Sequence, residues 1–293
     1  MFSSIMKRSV PDLIFDIVNY LLVGLITVIC LYPMIYVIAA SFSDPVLLMS
    51  NKSPLIAPLG FSIDGYKIVL NNVNTWIGYG NTIFYVVAGT AINMFMTTLG
   101  AYALSRKNFM LRKFFTIMIV FTMYFSSGII PNFLLVKNLG LLDTRWAVII
   151  PTAIGTWNLL IMRTAFASIP DSLEEAAKID GANHFTLLFK ILVPVSKATM
   201  AVILLFYAVG HWNSWFNAMI YLPTSRNLYP MQLFLREILV TSSEVTSGDN
   251  EINYMGELVK YSTIIVSTLP ILCLYPFLQK YFVKGVMMGS VKE

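Results

Sequence analysis

Long apolar runs separated by short polar segments give this chain its pattern. Six runs stand out: Leu13–Ser41, Trp76–Leu104, Phe114–Val136, Trp146–Phe166, Ala198–Leu222 and Tyr261–Val283. Crossing about 30 Å of hydrocarbon takes roughly 20 mostly apolar residues at helical rise, and each run meets that length. The runs are continuously apolar instead of alternating, so they predict helices and not barrel strands. The expectation is an all-α polytopic membrane protein with six transmembrane helices. The first run is too long for a removable signal peptide, lacks a small-residue cleavage site and contains Pro33, so the N-terminus is expected to stay attached.

Composition agrees. Hydrophobic residues make up 57% of the chain and charged residues 12%, against about 25% charged in a soluble domain. The net charge of +5 needs no nucleic-acid partner, because Lys and Arg collect in loops that stay on the cytoplasmic side. With the N-terminus inside, 13 Lys and Arg fall in inner segments and 7 in outer ones. Both termini are therefore expected in the cytoplasm, with the protein multi-pass in a cell (plasma) membrane. A single transmembrane domain, 13–283, is flanked by cytoplasmic tails 1–12 and 284–293. It carries an inner loop, 167–197, and an outer loop, 223–260. Cys30 and Cys273 lie inside spans as apolar residues, and their spacing builds neither a disulfide framework nor a metal site.

The long inner loop breaks the apolar pattern: "PDSLEEAAKIDGANHFTLLFKILVPVS", Pro170–Ser196. Ser172 and Glu175 have the spacing of a capping box, so a helix is expected to start there. Asp171, Glu174 and Glu175 sit in its first turn, where the helix dipole favours carboxylates. Gly181, after Asp180, can take the left-handed conformation that closes a helix. Beyond it, Phe185, Leu188, Phe189 and Leu192 fall at i, i+3, i+4 and i+7, one apolar stripe of a second helix. Pro194 marks the change of direction into the fifth span. A helix, a glycine and a second helix on the inner side call for a docking partner.

"EEAAKIDGA" followed by "ILVP" resembles the EAA loop of ABC-importer permeases. Glu175, Ala176, Ala177, Gly181, Ile191 and Pro194 match that pattern, and Val193 stands where Leu is usual. "GAYALSR" at Gly100–Arg106, "IIPNFLLVKNLGLLDTRWAVIIP" at Ile129–Pro151 and "YFVKGVMMGSVKE" at Tyr281–Glu293 resemble the carbohydrate-uptake, maltose-permease-like group. The long first span and "ASFSDP" most resemble permeases of polysaccharide and oligosaccharide importers of Gram-positive bacteria.

The resemblance implies the type I ABC-importer permease fold, with the EAA loop as a cytoplasmic coupling helix seated in a groove of an ATPase. Glu174, Glu175, Ala176, Ala177, Asp180, Gly181 and Pro194 would form that contact. It further implies a second homologous permease (a heterodimer), two ATPase subunits, an extracellular lipid-anchored sugar-binding protein, and an oligosaccharide substrate crossing the lipid bilayer.

The chain has no G-x-x-x-x-G-K-[ST] phosphate loop, so ATP and Mg belong to partner ATPase subunits and no cofactor is expected on this chain. No catalytic residues and no metal ligands are expected, and the chain is not read as an enzyme. For the cargo path the fifth span offers "GHWNSWFNA", Gly210–Ala218, which is costly in lipid unless it faces protein or water. His211, Trp212, Asn213, Trp215 and Asn217 are candidates. On a continuous helix His211 and Trp215 share one face and Asn213 and Asn217 another. Aromatic rings beside amides suit sugars; equally, these groups can hydrogen-bond neighbouring helices. Gly89, Asn93, Thr97 and Ala101 form a small, polar stripe that suits helix packing and keeps Asn93 as a candidate. "YFSSGIIPN" is expected to bend the third span, with Tyr124 and Asn132 beside the bend. The competing readings are a permease for a non-sugar solute and an ion-coupled secondary transporter, for which broken helices and midplane carboxylates would be expected.

Overall fold

The computed structural model describes residues 10–125, 127–244, 256 and 259–273. It is helical, and its internal contacts divide it into two units, Met1–Asn71 with Ile238–Val266 and Asn72–Glu237 with Ser267–Glu293.

In the first unit, the first span runs as one helix, Val10–Ser41, with Pro33 inside it. Among the described residues none of its lipid-length stretch is buried, which leaves its apolar surface for lipid or another subunit. The outer segment after it is ordered by local chemistry. Asp44 caps the short helix Pro45–Ser50 by accepting from the Val46 and Leu47 amides. Ser43 and Phe61 form an antiparallel bridge, Phe42 stacks on Phe61 at 5.8 Å, and the Ser41 and Tyr66 hydroxyls meet at 2.7 Å. Ala39, Ala40, Leu48 and Leu55 are the buried core of this unit.

The second unit contains the second to fifth spans. The second runs unbroken over Val73–Ser105, with one π-helical turn at Tyr85–Gly89. The third is two helices, Arg112–Tyr124 and Ile129–Asn138. The expected bend is there, and Gly128 enters the second piece with φ +84°, a conformation a side chain would resist. The fourth bends by 48° between Arg145–Thr152 and Thr156–Ala167, after Pro151 and at Gly155.

The fifth span departs from expectation. It is helical over Lys197–Trp212, stops, and resumes as Phe216–Tyr221. Asn213 and Ser214 leave the helix, so the shared faces expected for His211 with Trp215 and for Asn213 with Asn217 do not exist. The cause is local: the Asn213 amide still reaches Val209 O, but the Ser214 amide folds back onto His211 O at 3.2 Å, closing the helix in a stretch dense in Gly, Asn and Ser. The sixth candidate, Tyr261–Val283, is helical over Val259–Cys273; its remainder and the tail after it lie outside the described residues. Cys30 and Cys273 are free and face outward.

Candidate functional site

The inner loop folds as helix, left-handed glycine, helix. The first helix is Asp171–Ile179. Its capping box does not form: Pro170 takes the N-cap position without a side-chain hydrogen bond, which puts Ser172 two positions inside the helix, where it cannot act as the cap. The far end closes as the sequence requires. Gly181 has φ +78°, its amide donates to Lys178 O at 3.0 Å and the Ala182 amide to Ala177 O at 2.9 Å, a Schellman closure. Asn183 then caps the second helix by accepting from the Thr186 amide at 2.8 Å.

That second helix contains a π-helical turn, Leu187–Leu192, and the turn moves its apolar face. Leu187, Leu188 and Leu192 are buried, a spacing of i, i+1 and i+5 in place of the expected i+3, i+4 and i+7. Phe185 and Phe189 consequently point outward. The chain swings by 87° into the fifth span at Ser196, two residues after Pro194.

The motif itself divides between two faces. Ala177 is buried in the apolar cluster that also holds Leu104, Phe166, Leu187 and Leu188, and Glu174 is largely shielded from water. Its carboxylate takes an ion pair from Arg106, at the end of the second span, and another from Lys178 at 2.9 Å. The Arg106 and Glu174 side chains are only 14% and 15% exposed. Arg106 also donates to Phe166 O at 2.9 Å and Ser105 Oγ at 3.0 Å, so one guanidinium joins the second span, the end of the fourth span and the loop helix. Burial pushes the Glu174 carboxyl up, but hydrogen bonds from Lys178 and Arg106 and their charges outweigh it, and the group titrates below its ordinary range. At the rim Lys107 pairs with Asp171, and Tyr102 Oη meets His184 Nδ1 at 2.6 Å. Arg106, Lys107, Asp171 and Glu174 line a cleft of about 220 Å³ together with Arg112 and Glu175. Glu175, Ala176, Asp180 and Gly181 are exposed, as are Ile179 at 86% and Phe185 at 69%. One face of the loop is locked to the spans and the other is presented outward.

Within the membrane unit, Asn93 and His211 are both buried and bonded to each other, Oδ1 to Nε2 at 2.6 Å. Asn93 Nδ2 donates to Thr152 O at 2.5 Å, so its Oδ1 can only accept and His211 Nε2 must carry the proton. Tyr207 Oη accepts from the Gly155 amide at 2.9 Å and shares a hydrogen bond with Thr97 Oγ1 at 2.7 Å. Thr152 O and the Gly155 amide are groups freed by the fourth-span bend, and in a membrane interior such groups need protein partners. The Gly89 to Ala101 stripe thus serves packing, with Gly89 lying directly under the His211 ring.

The remaining candidates lie elsewhere. Trp212 is buried beside Tyr79, and its indole N–H has no acceptor among the described residues. Asn213 is exposed and Trp215 half-buried beneath Arg236. Tyr124 is exposed at the third-span break. Asn132, which accepts from Ser127 Oγ at 3.1 Å, and Asn217 come together in one cavity of about 360 Å³ with Thr152, Tyr221 and the apolar Leu135, Leu139, Ile150 and Pro151. Two amides above an apolar floor offer what a sugar ring needs.

The family model for the binding-protein-dependent transport system inner membrane component matches residues 96–288. The chain belongs to this family. As a member it is a membrane subunit of a transport system that works with a binding protein, which sets aside the ion-driven alternative. The chain is 43% identical over 283 residues to the polygalacturonan/rhamnogalacturonan transport system permease protein of Bacillus subtilis, covering 95% of this chain and 98% of that one. It is 26% identical over 272 residues to the arabinooligosaccharides transport system permease protein of Halalkalibacterium halodurans, covering 91% and 93%. Among solved structures it resembles a chain from a bacterial ABC transporter involved in the import of the acidic polysaccharide alginate, with a TM-score of 0.85, 36% identity, and coverage of 94% of this chain and 99% of that one. The type I importer permease fold expected from the EAA loop is therefore the fold of this permease.

Sequence reasoning missed Arg106 and Tyr207. "GAYALSR" marked the first position without a role, and nothing local to "LLFYAVG" shows that Tyr207 repairs a bend in another helix.

Proposed function

We propose that this permease is the membrane subunit of an ATP-driven importer of oligosaccharides or polysaccharide fragments. The observation that carries the proposal is the two-faced inner loop: Glu174 and Ala177 tie it to the spans, while Glu175, Ala176, Ile179 and Phe185 are left for a partner. An ATPase gripping that outer face would move the second and fourth spans through Arg106. ATP and Mg are bound on two such ATPase subunits, and this chain performs no catalysis. A second, homologous permease completes the path, a lipid-anchored sugar-binding protein delivers cargo from outside, and both termini lie in the cytoplasm. The cargo named for the relatives, polygalacturonan, rhamnogalacturonan, arabinooligosaccharides and alginate, supports a glycan. The Asn132 and Asn217 cavity is where this chain would touch it.

The proposal is tested by reconstituting this chain with its partner permease, ATPase and binding protein in proteoliposomes. Labelled oligosaccharide should accumulate only when ATP is supplied on the side that holds the ATPase. Accumulation driven by an ion gradient without ATP, or ATP-driven uptake of peptides and not glycans, would overturn the proposal.

A further inference from the structure

On the inner side of the membrane unit three cations facing the loop have carboxylate partners: Arg106 and Lys178 share the single charge of Glu174, and Lys107 pairs with Asp171. Two outer guanidiniums are treated differently. Arg145 lies 4.5 Å over the Phe84 ring, donates to Asn81 Oδ1 at 3.0 Å, and has a buried Nε with no acceptor. Arg236 lies 3.8 Å over the Trp215 ring, with a Met219 thioether 3.3 Å from one terminal nitrogen. Among the described residues neither has a carboxylate within ion-pair distance, whereas the neighbouring Arg226 pairs with Glu237 at 2.5 Å. Phe84 and Trp215 both pack on one apolar cluster, built from Tyr85, Val148, Ile149, Ala218, Leu222 and Leu233.

A half-buried cation without a counter-ion is costly unless something supplies one. Arginine is well suited to binding an anion in such a place, because it stacks on aromatic faces, is weakly hydrated, and keeps in-plane donors free to grip a carboxylate in a two-pronged contact. Amides and a thioether leave those donors underused. We infer that Arg236, with Arg145, reads carboxylates on the cargo, so that this permease selects uronate-bearing oligosaccharides over neutral ones. The inference rests on the importer reading above and narrows its substrate class.

The experiment compares ATP-driven uptake of trigalacturonate with that of its neutral methyl ester by the complete reconstituted complex. The binding protein is kept the same, so that any change reports the permease. Wild type should prefer the acid. Arg236→Gln should lower the acid-to-ester ratio of kcat/KM roughly tenfold to hundredfold, the worth of a charge-assisted hydrogen bond. Arg236→Lys, which keeps the charge and loses the fork, should fall between. An unchanged ratio in Arg236→Gln, including one where acid and ester uptake fall together, would overturn the inference. So would a wild type that imports the ester and not the acid, although the importer reading would then stand; ATP-driven uptake of neither compound would overturn the inference, and the importer reading falls with it only if no other oligosaccharide is taken up.

Discussion

Arg106, the C-cap of the second span, and Glu174, in the first half of the inner-loop helix, form an ion pair that is largely shielded from water. Because Arg106 also holds Phe166 O, a push on the loop helix is delivered to two spans at once. Breaking the pair leaves one poorly solvated charge, so Arg106→Gln or Glu174→Gln should each destabilise the protein by roughly 1–3 kcal/mol, between an exposed and a buried pair. The double exchange Arg106→Glu with Glu174→Arg should recover part of the melting temperature and of the uptake. A double variant worse than the sum of the two singles would contradict the joint.

The same pair sets a pH window. The Glu174 carboxyl is held below its ordinary range, so its stabilisation is complete above the unfolded value of about 4.3 and disappears as pH falls through the lower folded value. Lys178 is shifted upward, first by its hydrogen bond to Glu174 and then by that carboxylate's charge. Its share is present below the unfolded value of about 10.4 and is lost as pH rises through the folded one. The melting-temperature gap between wild type and Glu174→Gln should therefore be flat near neutrality and close below about pH 4. A gap already closing between about pH 8 and pH 6 would contradict the assignment.

The spans were legible because length and apolar continuity decide them. The glycine closure at Gly181 was legible because its chemistry is local. Three features were hidden for physical reasons. Pro170 displaced Ser172 from the cap, a choice between two starts close together in the chain. The π turn at Leu187–Leu192 changed the helical period, so a stripe drawn at about 3.6 residues per turn assigned Phe185 and Phe189 to the wrong face. The attachment of Asn93 and His211 to a bend in the fourth span depends on contacts distant in sequence. Residue type marked both as special, and only the fold showed that Asn93 holds Thr152 O while His211 holds Asn93.

Gly89 gives a test of that contact. A Cβ at this position would overlap the His211 ring, so Gly89→Ala should force the ring off Asn93 and destabilise the protein by about 1–3 kcal/mol, as overpacking does. His211→Ala should cost less, about 0.6 kcal/mol for a typical interhelical hydrogen bond, and leave the KM for cargo unchanged. A large rise in KM with intact stability would make His211 a cargo contact instead.

Asn132 and Asn217 are expected to behave in the opposite way. Both line the same cavity and neither holds another helix's backbone among the described hydrogen bonds. Asn217→Ala should raise the apparent KM for oligosaccharide several-fold at constant melting temperature. A loss of stability with unchanged KM would place Asn217 in packing.

The central claim is that the exposed face of the loop receives the force of ATP hydrolysis. Glu175 is exposed and has no ion-pair partner among the described residues, so Glu175→Lys should leave folding and membrane insertion intact. The direct measurement is the number of oligosaccharides imported per ATP hydrolysed by the reconstituted complex, wild type against Glu175→Lys. A ratio that collapses in the variant while hydrolysis continues is the predicted result; an unchanged ratio would contradict the account.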